Sequence, residues 1–237
     1  MPEAVVDLEG RKVAVEPVRD PVLDLAGILK RWPSQEAPVL DRVDLKLDPG
    51  SAAAIAGRNG AGKTTLLRIA AGLIGAESGS VKVCGLDVER DRTEFQRRIG
   101  FLAAGNSGLY ARLKVEHHLE LWSRLALVPR KQRAAAIEQA LVAFDLEPLC
   151  GRRVDRLSMG QRQRLRLALA FVHEPALVLL DEPATSLDED GIALLQRALD
   201  LLKGRGGAAV VCLPSGWEQI LSIDRALVLD AGRLTAA

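Results

Sequence analysis

Aromatic side chains make up only 3% of this 237-residue chain. Its core must therefore be aliphatic, and a hydrophobic fraction of 48% supplies enough material for a sizeable one. Cysteine is equally sparse. Cys84, Cys150 and Cys212 are isolated, odd in number and without C-x-x-C spacing, which argues against a disulfide framework or a zinc site and for a reducing compartment. Neither sign of charge is in excess, with 32 Lys and Arg against 31 Asp and Glu and a formal net charge of +1. That balance offers no electrostatic footprint for nucleic acid or an anionic membrane surface. Long hydrophobic runs are missing too: none approaches the roughly 18–20 apolar residues that span a bilayer. The mixed-charge stretch from Met1 to Asp20 does not read as a signal peptide. Any role at a membrane is expected to run through a separate partner.

What is present is an alternation of short apolar runs with helical stretches, the pattern of an α/β fold. Ser51 to Ala56, Leu177 to Leu180, Ala208 to Leu213 and Ala226 to Leu229 read as strands. Their continuous apolarity suits strands covered on both faces, as in a parallel sheet. Val39 to Leu47 and Ser80 to Val83 alternate enough for antiparallel strands. Thr64 to Ala71 is helical and stops at Gly72, and Val115 to Phe144, interrupted by Pro129, has the spacing of amphipathic helices. This second block is a candidate inserted helical subdomain. Residues 1–20 form an extension, either an extra hairpin or a mobile arm. His117 and His118 are expected on the exposed face of the helical block and His173 between a helix and a strand, all three structural or solvated.

The strongest chemical signal is Gly57-Arg-Asn59-Gly60-Ala61-Gly62-Lys63-Thr64-Thr65, which fits G-x-x-x-x-G-K-[ST] between a strand and a helix. Glycines let the backbone curl so that successive N–H groups face a phosphate. Lys63 is placed to reach the β- and γ-phosphates, Thr64 to offer a hydroxyl to Mg²⁺, and the helix to present its positive N-terminus. Such a loop needs a carboxylate on a neighbouring strand to hold the metal. Asp181 ends the run Leu177-Val-Leu-Leu-Asp, and Glu182 follows it as candidate general base or water-orienting group.

Leu157-Ser158-Met159-Gly160-Gln161, ahead of a helical segment, resembles the LSGGQ signature of ABC ATPases with Met159 in place of the first glycine. Asp181-Glu-Pro-Ala-Thr-Ser-Leu-Asp188 resembles the Walker B and D-loop run of the same family. The order of these motifs is that of an ABC transporter nucleotide-binding cassette, from about Val22 to Leu234. The resemblance implies a P-loop NTPase (RecA-like) core with a mainly parallel sheet, an antiparallel β subdomain and the helical insert at about 100–165, all within an ATP-binding domain of residues 21–237. It also implies ATP and Mg²⁺ as cofactors and a head-to-tail dimer with two ATP molecules at its interface. Ser158, Gly160 and Gln161 of one copy would then meet nucleotide held by the other, with Asp188 in the D-loop beside it. Trp32 falls where the family places an aromatic residue that stacks on adenine; packing before Pro33 is the other reading.

Two family residues are missing. No glutamine follows the strand near Ile99 to Ala103, where the chain reads Ala103-Ala104-Gly105-Asn106-Ser107 and Asn106 is the candidate substitute. No histidine follows Leu213, where the chain reads Pro214-Ser215-Gly216-Trp217. The expectation is an ATP-hydrolysing subunit that drives separate membrane-spanning subunits, as an export-type cassette on the cytoplasmic face of the cell membrane. Drug or lipid-linked cargo comes first, with polysaccharide or haem export kept open. The pairing is either a homodimer or a heterodimer with a different cassette. The alternatives are a hydrolysis-deficient, regulatory half of such a heterodimer and a soluble ABC protein of translation or DNA repair. Arg152, Arg153, Arg156, Arg162, Arg164 and Arg166 form a basic stretch around the signature, read as a solvated helix face or as a contact with nucleotide or partner.

Overall fold

The structure, a computed structural model, describes residues 5–6, 12–13, 20–33, 36–105, 108–214, 216 and 219–237. Asn106, Ser107, Ser215 and Trp217, which occupy the positions of the two missing family residues, lie outside that set. Within the N-terminal stretch, β1 (Val5–Val6) pairs antiparallel with β2 (Lys12–Val13).

β3 (Leu23–Lys30) and β4 (Leu40–Leu47) form an antiparallel pair. β5 (Ala52–Ala56) then leads into α1 (Lys63–Ala70), and β6 (Ser78–Val83) and β7 (Leu86–Asp87) return to the antiparallel layer, whose order is β4-β3-β6-β7. Next come α2 (Arg92–Arg97), β8 (Ile99–Leu102), α3 (Val115–Leu125), α4 (Arg133–Ala143) and α5 (Met159–Phe171). The chain closes with β9 (Leu177–Asp181), α6 (Glu189–Gly204), β10 (Ala208–Cys212), β11 (Arg225–Asp230) and β12 (Arg233–Ala236). The main sheet runs β12-β11-β5-β10-β9-β8, parallel throughout except for the β11–β12 hairpin. The fold is that of an α/β P-loop NTPase, with a mainly parallel sheet and a separate antiparallel one.

The small aliphatic residues of β5, β9 and β10 explain why this sheet is covered on both sides. Ala52, Ala54, Val178, Leu180, Ala209 and Val211 pack into one core with α3 to α6. Their neighbours Ala53, Ile55, Leu177, Leu179, Ala208 and Val210 face the other way, into a core shared with α1 and the antiparallel sheet. Side chains alternate across a strand, so only continuous apolarity fills both cores.

Gly100, in β8, shows how tightly α5 rides on the sheet. A Cβ there would fall 2.0 Å from the Ala170 carbonyl oxygen and 2.9 Å from Pro175 Cγ. Overpacking a filled core costs about 1–3 kcal/mol or more. Gly100→Ala is expected to lower Tm by roughly 5–10 °C, at about 2–4 °C per kcal/mol for a chain of this size; thermal denaturation checks it.

The exposed placement expected for His118 is corrected. His117 is exposed, but His118 is 0% exposed, because Val115, His118 and Leu119 share the inner face of α3. Its Nε2 accepts the Tyr110 N–H at 2.9 Å, and its Nδ1 lies 3.1 Å from the Lys114 carbonyl, so it is a neutral imidazole with Nδ1–H donating. Burial pushes its pKa below the ordinary value. His173 sits between α5 and β9, as expected.

Candidate functional site

Parallel strands deliver their following loops to one edge of a sheet, where α/β folds bind ligands. At that edge, β5 feeds the loop 57–62, β9 ends in Asp181, and β10 lies between them, pairing Cys212 with Asp181. The loop turns into α1 through Gly62, which has φ 105° and whose missing Cβ would lie 2.9 Å from the Val39 carbonyl oxygen. A side chain is excluded there twice over, by backbone conformation and by space.

The result is a cavity of about 340 Å³. Asn59, Gly60, Gly62, Lys63, Thr64 and Thr65 line it from the loop and α1, Asp181 and Glu182 from the end of β9, and Trp32 and Val39 from the antiparallel sheet. On its floor the Thr64 hydroxyl donates to Asp181 Oδ2 at 2.6 Å, although the two residues lie 117 apart in sequence. Asp181 is 2% exposed and Lys63 6%. The Lys63 ammonium folds back onto its own loop, donating to the Gly57 carbonyl at 2.5 Å and to the Arg58 carbonyl at 3.3 Å. A cation buried among carbonyls at the N-terminus of a helix makes an anion-seeking site.

Glu182 has φ 51°, a left-handed conformation, and its N–H donates to the Cys212 carbonyl at 2.9 Å. Behind the acidic pair the Cys212 thiol is fully buried, and desolvation, reinforced by Asp181, raises its pKa well above the ordinary value. It is a neutral packing group. Trp32 is 36% exposed at the cavity mouth, with the Lys30 ammonium 5.0 Å from its ring centroid. Thr64 and Asp181 offer hard oxygen donors side by side, a set that fits Mg²⁺, which takes one or two protein oxygens and completes its shell with phosphate and water.

Not every residue singled out in the sequence joins this cavity. Gly57 and Ala61 belong to the loop but do not line it, and Val39 does, with no sequence signal to announce it. Ser158, Gly160, Gln161 and Asp188 lie outside it. Ser158 caps α5: its hydroxyl accepts the Gln161 N–H at 3.2 Å while Gln161 Oε1 accepts the Ser158 N–H at 3.0 Å, a reciprocal capping box. Asp188 caps α6, accepting the Gly191 N–H at 2.9 Å. The basic stretch also divides. Arg164 pairs with Asp145 at 2.7 Å and Arg162 donates to the Val154 carbonyl at 3.1 Å, but Arg166 is buried at 7% exposure, because it falls on the sheet-facing side of α5.

A family model described as ABC transporter matches residues 40–185. The daunorubicin resistance ATP-binding protein DrrA3 of Streptomyces coeruleorubidus is 35% identical over 218 residues, 92% of this chain and 68% of that protein. The ABC transporter ATP-binding protein NatA of Bacillus subtilis is 36% identical over 161 residues, 68% of this chain and 65% of that protein. The cytochrome c biogenesis ATP-binding export protein CcmA of Xanthomonas oryzae pv. oryzae is 35% identical, over 92% of this chain and 99% of its own. Among solved structures, the ATP-binding subunit of an ABC transporter superposes with a TM-score of 0.81 at 25% identity, covering 91% of this chain and 88% of its own. A dimeric ATP-binding cassette bound to ADP and Pi gives 0.77 at 24% identity, covering 90% and 98%.

Proposed function

Because the chain belongs to the ABC transporter family of ATP-binding proteins, we propose that it is an ATP-hydrolysing subunit that powers separate membrane-spanning subunits. The contact between Thr64 and Asp181 carries this reading, since it joins the phosphate loop and the acidic strand on the floor of one cavity. Lys63 leaves the Gly57 carbonyl for the β- and γ-phosphates, and the N–H groups of the loop and of α1 hold the phosphate oxygens. Trp32 offers its ring to adenine. Thr64 and Asp181 would hold Mg²⁺, which would supply charge neutralisation at the phosphates. Glu182 accepts a proton from, or orients, the attacking water.

In this reading Ser158, Gly160 and Gln161, which lie outside the cavity of their own chain, serve the nucleotide of a second copy or a different cassette, and Asp188 shapes the turn beside them. Residues 21–237 act as one cassette with the helical insert at about 100–165. Among the described residues no helix is long and apolar enough to cross a membrane; in this reading the membrane is reached through the partner, on its cytoplasmic face. Names of relatives that speak of drug resistance and export support an export role. The absence of glutamine from 103–107 and of histidine from 214–217 favours a second reading, a regulatory half of a heterodimer that binds ATP without turning it over.

Purified chain is expected to hydrolyse ATP only with a divalent cation: EDTA should bring release of phosphate to background, and Mg²⁺ should restore it. Affinity capture from solubilised membranes should recover a membrane-spanning protein. ATP binding together with recovery of nucleic acid or ribosomal protein would move the chain to the soluble class.

A further inference from the structure

The buried part of the basic stretch leads straight to the acidic end of β9. Gln163 and Arg166, at 4% and 7% exposure, lie three apart on α5 and so share a face of the helix. Arg166 Nη1 donates to Gln163 Oε1 at 2.7 Å, and Gln163 Nε2 donates to the Pro183 carbonyl at 2.7 Å. The other arm of the guanidinium, Nη2, donates to the Ala103 carbonyl just beyond β8. Burial lowers the pKa of Arg166 from its ordinary value, yet a guanidinium keeps its charge.

Pro183 is the residue after Glu182, and that position is strained. Glu182 sits at φ 51°, whereas a residue before proline is normally pushed to an extended conformation. Such conformations persist only where the surroundings over-determine them, and they cluster at functional sites. The surroundings do so from both sides: Cys212 accepts the Glu182 N–H at 2.9 Å, and Gln163 clamps the next carbonyl along.

We propose that Gln163 and Arg166 are positioning residues that hold Glu182 in its left-handed conformation over the phosphate site. Arg166 orients the Gln163 amide, and the amide fixes the Pro183 carbonyl. Because the clamp sits on the helix whose N-terminus carries Ser158 and Gly160, the glutamate of one site and the signature that serves the other share one rigid element. This rests on the reading of the chain as an ATPase with Glu182 beside the attacking water.

Gln163→Glu tests it. The variant keeps an acceptor for Arg166 but has no N–H for Pro183. Wild type, Gln163→Glu and Glu182→Gln are compared in steady-state ATP hydrolysis, in binding of a fluorescent ATP analogue and in thermal denaturation. Small misplacements of a catalytic group cost up to about a hundredfold, so kcat of Gln163→Glu is expected to fall about ten- to a hundredfold, with KM and analogue affinity within about twofold of wild type. If that variant does not fold, Gln163→Met, of similar length and also without a donor, takes its place with the same expectation. A kcat at the wild-type value overturns the proposal, as does a fall in kcat matched by an equal loss of affinity. A wild type no faster than Glu182→Gln sinks the ATPase reading and the proposal with it; a wild type that is faster, beside a Gln163→Glu that matches it, sinks the proposal alone.

Discussion

Lys63→Ala is expected to lower the affinity for MgATP by about 100-fold or more and to take hydrolysis to background. The Nζ group lies inside the loop at 6% exposure, already within reach of two backbone carbonyls. Hydrogen bonds to charged groups contribute about 1.5–3 kcal/mol each, and about 2.7 kcal/mol is a hundredfold in a binding constant. An alanine has nothing to offer the β- and γ-phosphates in return. Titration with a fluorescent ATP analogue measures the loss, and a thermal melt separates it from unfolding. Affinity within threefold of wild type would place nucleotide elsewhere than this cavity.

The second large effect is expected of Glu182→Gln, and it has the opposite signature. The amide is nearly isosteric and leaves the Glu182 N–H to Cys212 in place, so ATP binding should stay within about twofold of wild type. What is lost is the base. General-base catalysis is worth about 10²–10⁴-fold, and kcat should drop by at least about a hundredfold. The comparison also separates the two pairings. A wild type well above the variant supports turnover in a homodimer, and equal, negligible rates support a cassette that completes a different partner's site.

Much of the fold was legible because burial on both faces leaves an unmistakable trace. The runs at 52–56, 177–180 and 208–213 are apolar at every position, and β5, β9 and β10 fall on them within one or two residues; β11 covers 226–229 but buries only Leu227 and Leu229. β3 was harder, since Gly27 at φ 61° and two register shifts break its alternation. β8 is only four residues long and contains Gly100, kept small by α5 rather than by any local rule. The phosphate half of the site was legible because a strand, a glycine loop and a helix must follow one another in the chain. The acidic strand was legible too, from the carboxylate that ends 177–181, and the sheet order brings Asp181 onto Thr64. His118 and Arg166 show the limit of counting charge. Each looked solvated by residue type, and each is buried because the helix phase points it inward, where backbone carbonyls and N–H groups meet its polar atoms. The separation of Ser158 and Gly160 from the cavity in their own chain is a property of the folded shape, available in the sequence only as what the family resemblance implied.

The place of β10 between β5 and β9 has a consequence for biosynthesis. Residues 57–65 and 181–182 leave the ribosome before residues 208–212, yet the wedge that sets the distance between them is that later segment. Parallel pairing over such separations is slow, because loop closure must precede the contacts that reward it. A nascent chain stopped at α6 holds every residue that lines the cavity and still lacks the strand that spaces them. In the order of synthesis the cavity is therefore completed late, when β10 enters the sheet between β5 and β9.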